Sequence, residues 1–363
     1  MDLKTIIEQF EIKGEFRGYK VLSGGNINTT YELMLFDGEG IKTYVLQRIN
    51  KFVFKKPDEV MENIMKVTEF IRSKYLSFGE DYHRQVLRYY RNKNGLPYLI
   101  DENGDYWRCY RFIEDSITYD NTVNDKVISE AGKAFGNFQK MLRDFNAETL
   151  YDTIPNFHNT RKRLTDLFHS VIADECERVK QVKEELEYIV DNRNKAEILC
   201  NMLDAGEIPL RVTHNDTKCN NVLFDIESGN SLAVIDLDTV MPGLTAYDFG
   251  DAVRSIASSC AEDEKDLSKV CFQLDKFEAF TKGFISQLKD NINEKEVESL
   301  IHGPFVITLE LASRFLDDYL NGDKYFKISY PQHNLDRARC QLALAKDILA
   351  KKQQISEIIK KYL

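Results

Sequence analysis

The chain has 363 residues, of which 43% are hydrophobic and 30% charged, and its formal net charge is -10. These values are ordinary for a globular protein that buries a sizeable core, and the length fits one large or two medium domains. The acidic balance argues against nucleic acid or an anionic membrane as the main partner, and no apolar run approaches the length of a membrane span.

The seven cysteines are scattered, odd in number and free of C-x-x-C pairs. This pattern is typical of unpaired thiols in a reducing compartment and argues against a disulfide framework or a zinc site. The N-terminus lacks the apolar core of a signal peptide and predicts a short helix over 2–10. We therefore expect a cytoplasmic protein, and the sequence leaves its oligomeric state open.

The first 114 residues predict a small antiparallel sheet with one packed helix. Strands are expected over 19–22, 29–35 and 44–49, separated by glycine-containing turns, and two more over 86–90 and 106–113. Apolar residues at helical spacing predict a helix over 57–76 between these two groups of strands.

From residue 115 onward the pattern is mostly helical. Apolar spacing predicts a helix over 125–143, two or three helices within the charge-rich stretch 160–204, and helices over 247–260, 265–288, 294–320 and 335–361. We predict an α+β fold with a small N-terminal lobe at 1–114 and a larger, mostly helical lobe at 115–363.

A polar loop, His214 to Asn221, lies between the segment 210–213 and two short strands at 222–224 and 232–236. It carries Asp216, then Asn221 five residues later, and the second strand ends in Asp236. The pattern H-x-D-x-x-x-x-N, followed by a hairpin and an acid, indicates a phosphotransferase with a two-lobed protein-kinase-like fold. An Asp and an Asn at this spacing can face the same transferring phosphoryl group, and the hairpin returns Asp236 to the same metal.

These residue types predict separate roles in phosphoryl transfer from ATP. Asp216 is the expected catalytic base for the acceptor hydroxyl, and Lys218 is expected to stabilise charge on the transferred group. Asn221 and Asp236 offer hard oxygen ligands for Mg²⁺. His214 is expected to hold the loop by hydrogen bonds rather than to perform chemistry.

Candidate nucleotide ligands lie in the N-terminal lobe. Gly24, Gly25 and Asn26 form a turn at the place where this fold covers the ATP phosphates, although any hairpin can use such a turn. Cys109, on the strand that runs into the expected hinge at 114–115, is assigned to the same nucleotide-binding group.

The third strand lacks the phosphate-binding lysine that kinases of this fold carry. Strand alternation places Gln47 in that position and directs Arg48 to the opposite face, unless a bulge shifts the register. Because Gln47 brings no charge, either Arg48 turns inward, or the metal and the glycine turn carry more of the phosphate binding. Both residues are therefore candidate nucleotide ligands.

Two further acids follow the hairpin. If the chain stays extended after Asp236, Asp238 faces the same way and is either a second metal ligand or a substrate contact. Residues 241–244 predict a turn, after which Asp248, near the start of a helix, is expected to brace the catalytic loop.

The stretch 214–225 resembles the phosphotransferase motif of the aminoglycoside phosphotransferase and choline kinase superfamily. The resemblance is closer to the N-acetylhexosamine 1-kinases in several other stretches, namely 234–243, 247–251, 307–310, 314–316 and 318–326. Residues 25–28 and 45–50 fit the same group, so the resemblance makes the absent lysine a trait of that group.

This resemblance implies ATP- and Mg²⁺-dependent phosphorylation of the anomeric hydroxyl of N-acetylglucosamine or N-acetylgalactosamine. It also implies sugar contacts from Asp216, Arg314 and Tyr325. A buried arginine suits a neutral sugar better than a cationic acceptor. The alternative for Arg314 is an ion pair with one of the nearby acids, Asp317 and Asp318 among them.

Two other functions stay open at this point. One is a kinase of the same fold that acts on another small alcohol, such as choline, ethanolamine or an aminoglycoside. The other is a catalytically silent nucleotide-binding module, which only the absent third-strand lysine favours. The sequence does not distinguish between the two N-acetylhexosamines or between nucleotides.

Overall fold

The computed structural model describes residues 2–22, 27–119 and 124–363. The chain separates into two compact units. The first contains Met1–Thr118, Asp144–Ile154 and Val222–Met241, and the second contains Tyr119–Arg143, Pro155–Asn221 and Pro242–Leu363. The predicted lobe boundary at 114–115 stays a prediction.

The secondary structure mixes short strands with helices of one to seven turns. The strands are β1 Glu15–Leu22, β2 Thr29–Phe36, β3 Ile41–Arg48, β4 Tyr89–Tyr90, β5 Leu99–Ile100, β6 Tyr106–Arg111, β7 Ser116–Ile117, β8 Arg211–Thr213, β9 Val222–Asp225, β10 Ser231–Val234 and β11 Met241–Gly243. The helices are α1 Leu3–Ile7, α2 Pro57–Phe78, α3 Asp125–Met141, α4 Thr160–Ala173, α5 Lys183–Asp191, α6 Arg193–Ala196, α7 Ile198–Asp204, α8 Thr245–Ile256, α9 Leu274–Leu288, α10 Glu294–Leu320, α11 His333–Ala350 and α12 Lys352–Lys361.

The first unit is built on an antiparallel sheet with the order β1-β2-β3-β6-β4, and β5 also pairs with β6. The β2–β3 ladder runs without a register shift from Thr29↔Arg48 to Phe36↔Ile41. Neighbouring residues of β3 therefore alternate between the two faces, as the sequence predicts for Gln47 and Arg48. A second sheet has the order β10-β9-β7.

The two faces of the main sheet have different environments. On one face Leu33, Leu46 and Cys109 pack with Ile6 and Phe10 around helix α1 in an apolar core. On the other face the side chain of Arg108 reaches Met61 of α2, with Nη1 4.0 Å from the methionine sulfur. The β3–β6 pairing aligns Gln47 with Arg108, so these two polar side chains share the α2 face.

In the second unit, the backbones of helices α8 and α10 approach each other closely where the two helices cross. A Cβ atom added at Gly250 of α8 would lie 2.5 Å from the carbonyl oxygen of Gly303 in α10. Only hydrogen fits at that distance, so glycine is needed for the backbones to approach. The crossing fixes α8, which carries Asp248, against α10, which carries Glu310.

Several predicted elements differ from those observed because periodicity does not detect short interruptions. The predicted helix 265–288 begins only at Leu274, since Asp266 caps a separate short turn by accepting a hydrogen bond from the backbone of Ser268. The predicted helix 335–361 is two helices that meet at Lys351. The charge-rich stretch 160–204 contains four helices, α4 to α7, rather than two or three.

Boundary predictions at other elements were also wrong. The first helix ends at Ile7 rather than residue 10, β1 begins at Glu15 rather than 19, and the predicted strand 86–90 is reduced to two residues. The predicted turn at 241–244 is instead the strand β11. Within the described residues, no helix is long and apolar enough to cross a bilayer.

Candidate active site

The catalytic loop brings the predicted base, lysine and asparagine together. Lys218 Nζ lies 2.7 Å from Oδ1 of Asp216. Asn221 donates from Nδ2 to the backbone oxygen of Asp216 at 2.8 Å and to its Oδ2 at 3.2 Å. Since these bonds use the amide nitrogen of Asn221, its carbonyl oxygen is the atom left for a cation.

Helix α8 holds the beginning of the loop through Asp248. Its carboxylate accepts hydrogen bonds from the backbone of His214 at 2.9 Å, from the backbone of Asn215 at 2.8 Å and from Gln139 Nε2 at 2.6 Å. Burial raises the pKa of Asp248, although His214 and the N–H donors favour the charged carboxylate. The prediction that Asp248 braces the loop is confirmed.

Asp251, one turn further along α8, holds the middle of the loop. It accepts a hydrogen bond from the backbone of Thr217 at 2.9 Å and pairs with Arg254 at 3.0 Å. Burial opposes its charge, but Arg254 and Lys218 outweigh this effect, so the pKa of Asp251 is lowered. Burial likewise disfavours the charge of Lys218, but Asp216 and Asp251 raise its pKa. No role was predicted for Asp251, although its i, i+3 spacing from Asp248 places both carboxylates on one face of α8.

His214 has the structural role expected of it. Its Nδ1 accepts a hydrogen bond from the backbone N–H of Asp216 at 3.2 Å, and its ring packs edge-on against Phe135 and Phe138. The next residue, Asn215, has a φ of 64°, in the left-handed region that asparagine tolerates. Cys219, also in this loop, is completely buried, so its thiol is not accessible to solvent.

A buried polar group that sequence reasoning missed connects the loop to α10. His158 Nε2 lies 3.4 Å from the backbone oxygen of Asn215, and Nδ1 lies 2.9 Å from Oε1 of Glu310. Thr160 donates to the other carboxylate oxygen of Glu310 at 2.6 Å. Burial opposes the charge of Glu310, but His158 and Thr160 outweigh it and lower its pKa. The sequence signals were a single acid within an apolar stretch of α10 and the resemblance of 307–310, neither of which pointed to His158.

Arg314 lies one turn after Glu310 on α10. Its guanidinium carbon is 5.2 Å from the ring centre of Phe157 and 5.6 Å from that of Phe326. No carboxylate of a described residue pairs with it within 4.0 Å. Phe157 adjoins His158, so the same short segment contacts both the catalytic loop and Arg314.

The acids suggested as partners of Arg314 are engaged elsewhere. Asp318 accepts hydrogen bonds from the backbone N–H groups of Lys324, Tyr325 and Phe326 at 2.8–2.9 Å. Asp317 accepts from Ser170 and Asn321. Asp318 thereby shapes the segment that carries Phe326, whereas the Tyr325 side chain is exposed.

In the first unit, the segment after Asp236 is not extended. Asp236 has φ 60° and ψ 56°, and Leu237–Thr239 forms a 3-10 turn. The premise that Asp238 faces the same way as Asp236 was therefore wrong. Instead Asp238 is buried, accepts a hydrogen bond from Asn28 Nδ2 at 2.5 Å and forms an ion pair with Arg108. These partners occupy the carboxylate that was expected to contact either the metal or the substrate.

Gln47 and Arg48 lie on opposite faces of β3. Gln47 donates to Thr30 Oγ1 at 3.0 Å and accepts from Arg108 Nε at 2.9 Å. Arg48 lies near Asp105, with Nη1 3.5 Å from Oδ2, and does not turn inward. The cation on the Gln47 face is thus Arg108. Burial opposes its charge, but Asp238 outweighs burial and raises the pKa of Arg108.

The other nucleotide candidates have different outcomes. The thiol of Cys109 is fully buried in the core with α1, on the face opposite Gln47, so the structure gives this side chain a packing role. Gly24, Gly25 and Asn26 lie outside the described residues, and their assignment to the phosphates stays a prediction.

The metal assignment is likewise a prediction. In the described part of the chain, no group of three or more His, Cys, Asp or Glu side chains is arranged to hold a metal ion. The proposed pair is of a different kind, with one amide and one carboxylate. Asn221 belongs to the second unit and Asp236 to the first, so their binding of one shared ion stays a prediction.

Residues 18–267 match the phosphotransferase enzyme family, known as APH. The matched residues include the catalytic loop, the hairpin with Asp236 and helix α8. The chain belongs to this family.

Solved structures of similar fold come from the same superfamily. An aminoglycoside phosphotransferase from Alicyclobacillus acidocaldarius is 12% identical, with 99% of this chain and 97% of that chain covered and a TM-score of 0.61. A choline kinase from Cryptosporidium parvum is 14% identical, with 93% and 91% covered and a TM-score of 0.53. A spectinomycin phosphotransferase in complex with ADP and spectinomycin is 13% identical, with 97% and 98% covered and a TM-score of 0.52.

At such low identity these similarities establish the fold, and they confirm the predicted α+β protein-kinase-like class. Membership of the phosphotransferase enzyme family also confirms the prediction of an enzyme. The protein is a small-molecule kinase with the fold shared by aminoglycoside phosphotransferases and choline kinases.

Proposed function

We propose that this kinase transfers the γ-phosphoryl group of ATP, with Mg²⁺, to the anomeric hydroxyl of N-acetylglucosamine or N-acetylgalactosamine. The observation that carries the proposal is Arg314, whose guanidinium lies over the rings of Phe157 and Phe326 and forms no ion pair within 4.0 Å with a described carboxylate. Its N–H donors can bind the hydroxyl and amide oxygens of a sugar.

The charge around Arg314 favours a neutral acceptor. Burial and the nearby charge of Arg314 both lower the pKa of Arg163, whereas Glu310 raises it, so two guanidinium groups share the neighbourhood of one buried carboxylate. The faces of Phe157 and Phe326 are already near the Arg314 cation, so they do not form an empty cage for a quaternary ammonium. Choline or an aminoglycoside would bring further positive charge to this surface.

The catalytic loop supplies the groups needed for the transfer. As the hydroxyl oxygen forms its bond to the γ-phosphorus, Asp216 accepts the hydroxyl proton, the bond to the β–γ bridging oxygen breaks and ADP leaves. Lys218, beside Asp216, stabilises negative charge on the transferred group. Asn221 keeps the Asp216 side chain oriented through its Nδ2 hydrogen bond.

The donor set fits magnesium, which prefers oxygen ligands and usually binds through few side chains together with phosphates and water. The carbonyl oxygen of Asn221 accepts no hydrogen bond from a described donor, and Asp236 is the second proposed oxygen ligand. Bound magnesium would neutralise charge on the ATP phosphates. The proposed contacts of Tyr325 with sugar and of the glycine turn with phosphate depend on the resemblance alone.

The test is ADP release by the purified chain with N-acetylglucosamine, N-acetylgalactosamine, glucose, choline, ethanolamine and kanamycin, followed by phosphorus NMR of the product. We expect turnover with an N-acetylhexosamine and a sugar 1-phosphate as product. If only choline, ethanolamine or kanamycin supports turnover, that compound, and not a sugar, is the acceptor. No turnover, together with no Mg²⁺-dependent ATP binding, would support the silent module.

Asp216→Asn tests the catalytic base. It preserves the size of the side chain but removes the proton acceptor, so kcat should fall by roughly 10²–10⁴-fold while ATP binding persists. Asp191→Asn, the same change at an exposed residue of α5, is the matched control and should keep normal activity. Near-normal turnover by Asp216→Asn would contradict the role given to Asp216.

A further inference from the structure

The first unit contains a buried ion pair that the proposed chemistry does not use. The side chains of Arg108 and Asp238 are 1% and 4% exposed, respectively, and Nη1 of the arginine contacts Oδ1 of the aspartate. Arg108 is on β6 and Asp238 is in the 3-10 turn that follows Asp236. The pair therefore joins the main sheet to the segment that carries the candidate metal ligand.

Further hydrogen bonds extend the pair to the start of β2 and the end of β3. Asn28 donates to the second carboxylate oxygen of Asp238 at 2.5 Å, and its own side-chain oxygen accepts from the backbone of Asn50 at 3.0 Å. On the other side, Arg108 Nε donates to Gln47 at 2.9 Å. The ion pair and these hydrogen bonds thus connect β6, β3, the turn after Asp236 and Asn28.

A gain in stability is a weak explanation for such a pair. Removing two charges from water is costly, and a well-packed apolar pair of similar size is often as stable. What the pair provides is geometry, because a planar guanidinium with several fixed donors holds Gln47 and Asp238 at the same time. Asp236, two residues before Asp238, has left-handed backbone angles that need support from the surrounding structure.

We propose that Arg108 is a positioning residue for the magnesium nucleotide. It fixes the turn of Asp236 through Asp238 and the third strand through Gln47. The positive charge that a lysine on the third strand would provide is thus provided by Arg108 on β6. The inference rests on the nucleotide half of the proposed function and is independent of the acceptor.

The test compares ATP binding by calorimetry with and without Mg²⁺ in the full-length chain and its variants. Arg108→Lys keeps the charge but loses the fork that spans Gln47 and Asp238. Arg108→Met with Asp238→Leu removes both charges, so no unpaired charge stays buried. Arg91→Met breaks another ion pair of the same unit, the 3.3 Å contact with Glu69, and is the control.

We expect Arg108→Lys and the double variant to bind ATP with Mg²⁺ at least tenfold more weakly than wild type. ATP binding without Mg²⁺ should change less than threefold, because the lost element is the position of Asp236. Arg91→Met should keep both affinities. If the double variant does not fold, Arg108→Lys decides the question.

Equal Mg²⁺-dependent affinity in wild type and Arg108→Lys would overturn the inference. An equal loss with and without Mg²⁺ would also overturn it, since that result indicates a merely structural role. Failure of the proposed function looks different, because wild type itself would then show no Mg²⁺-dependent ATP binding. Choice of another acceptor would leave this test unaffected.

Discussion

Replacing Asp248 with asparagine tests whether the catalytic loop depends on a carboxylate from α8. The two oxygens of Asp248 accept separate backbone N–H groups, one from His214 and one from Asn215. An asparagine side chain has only one oxygen, so in either orientation its NH₂ group faces one of these N–H donors. One buried donor must therefore lose its partner.

The magnitude follows from that lost partner. A buried N–H without an acceptor costs about 1–3 kcal/mol, and the remaining bond weakens because its acceptor is no longer charged. Part of this cost is offset, since burial of Asp248 opposes its charge and raises its pKa. We expect a net loss of about 1–3 kcal/mol in the free energy of unfolding. A small displacement of the loop should also lower kcat by roughly 10–100-fold.

The assay is urea unfolding together with steady-state kinetics of Asp248→Asn, with Asp191→Asn as the matched surface control. The control should change the free energy of unfolding by less than about 0.5 kcal/mol. The reasoning is refuted if Asp248→Asn matches the control in both stability and kcat, because the loop would then not depend on these two hydrogen bonds.

Two further predictions concern the helices that support the site. Burial, reinforced by the charge of Lys352, lowers the pKa of His302 to about 4. In the unfolded chain this histidine takes up its proton near pH 6.5, whereas in the folded chain it stays neutral down to about pH 4. His302 should therefore cost the wild type about 2 kcal/mol in the free energy of unfolding between pH 7 and pH 5. His302→Gln should lack this component in urea unfolding at the two pH values, and an unchanged slope would contradict the assignment. Gly250→Ala should destabilise the protein by about 1–3 kcal/mol, because its Cβ would lie 2.5 Å from the carbonyl oxygen of Gly303. In the same assay Gly40→Ala, which meets no atom within 4 Å, should cost almost nothing, and equal effects would contradict the close crossing.

The fold class was predictable because its signals are local. Alternating strands with glycine turns, followed by long apolar helical patterns, determine an α+β chain, and α10 matches its predicted bounds of 294–320. What periodicity does not detect is a short break inside a continuing apolar pattern. Lys351 is such a break: α11 ends before it and α12 begins after it. Periodicity does not detect it, because the spacing of the core-facing apolar residues continues on both sides.

The catalytic loop was predictable because its chemistry requires fixed spacing, and Asp216, Lys218 and Asn221 do lie together. Residues that support the site from distant positions were not predictable. His158 and Arg108 occur in stretches without a motif, and only the tertiary fold brings each to its buried carboxylate. Sequence spacing carries no information about such long-range pairs.

The acids around the catalytic loop also show how the environment assigns their roles. Asp248 and Asp251 are both almost fully buried, and their carboxylates are held by backbone N–H groups that move only if the loop unfolds. The side chain of Asp216 is 27% exposed, and its carboxylate contacts the side chains of Lys218 and Asn221. Side chains can rearrange when substrate arrives, whereas the backbone donors are fixed in place. We therefore expect Asp216 to be the acid that exchanges a partner for an incoming hydroxyl, while the other two acids hold the loop that carries it.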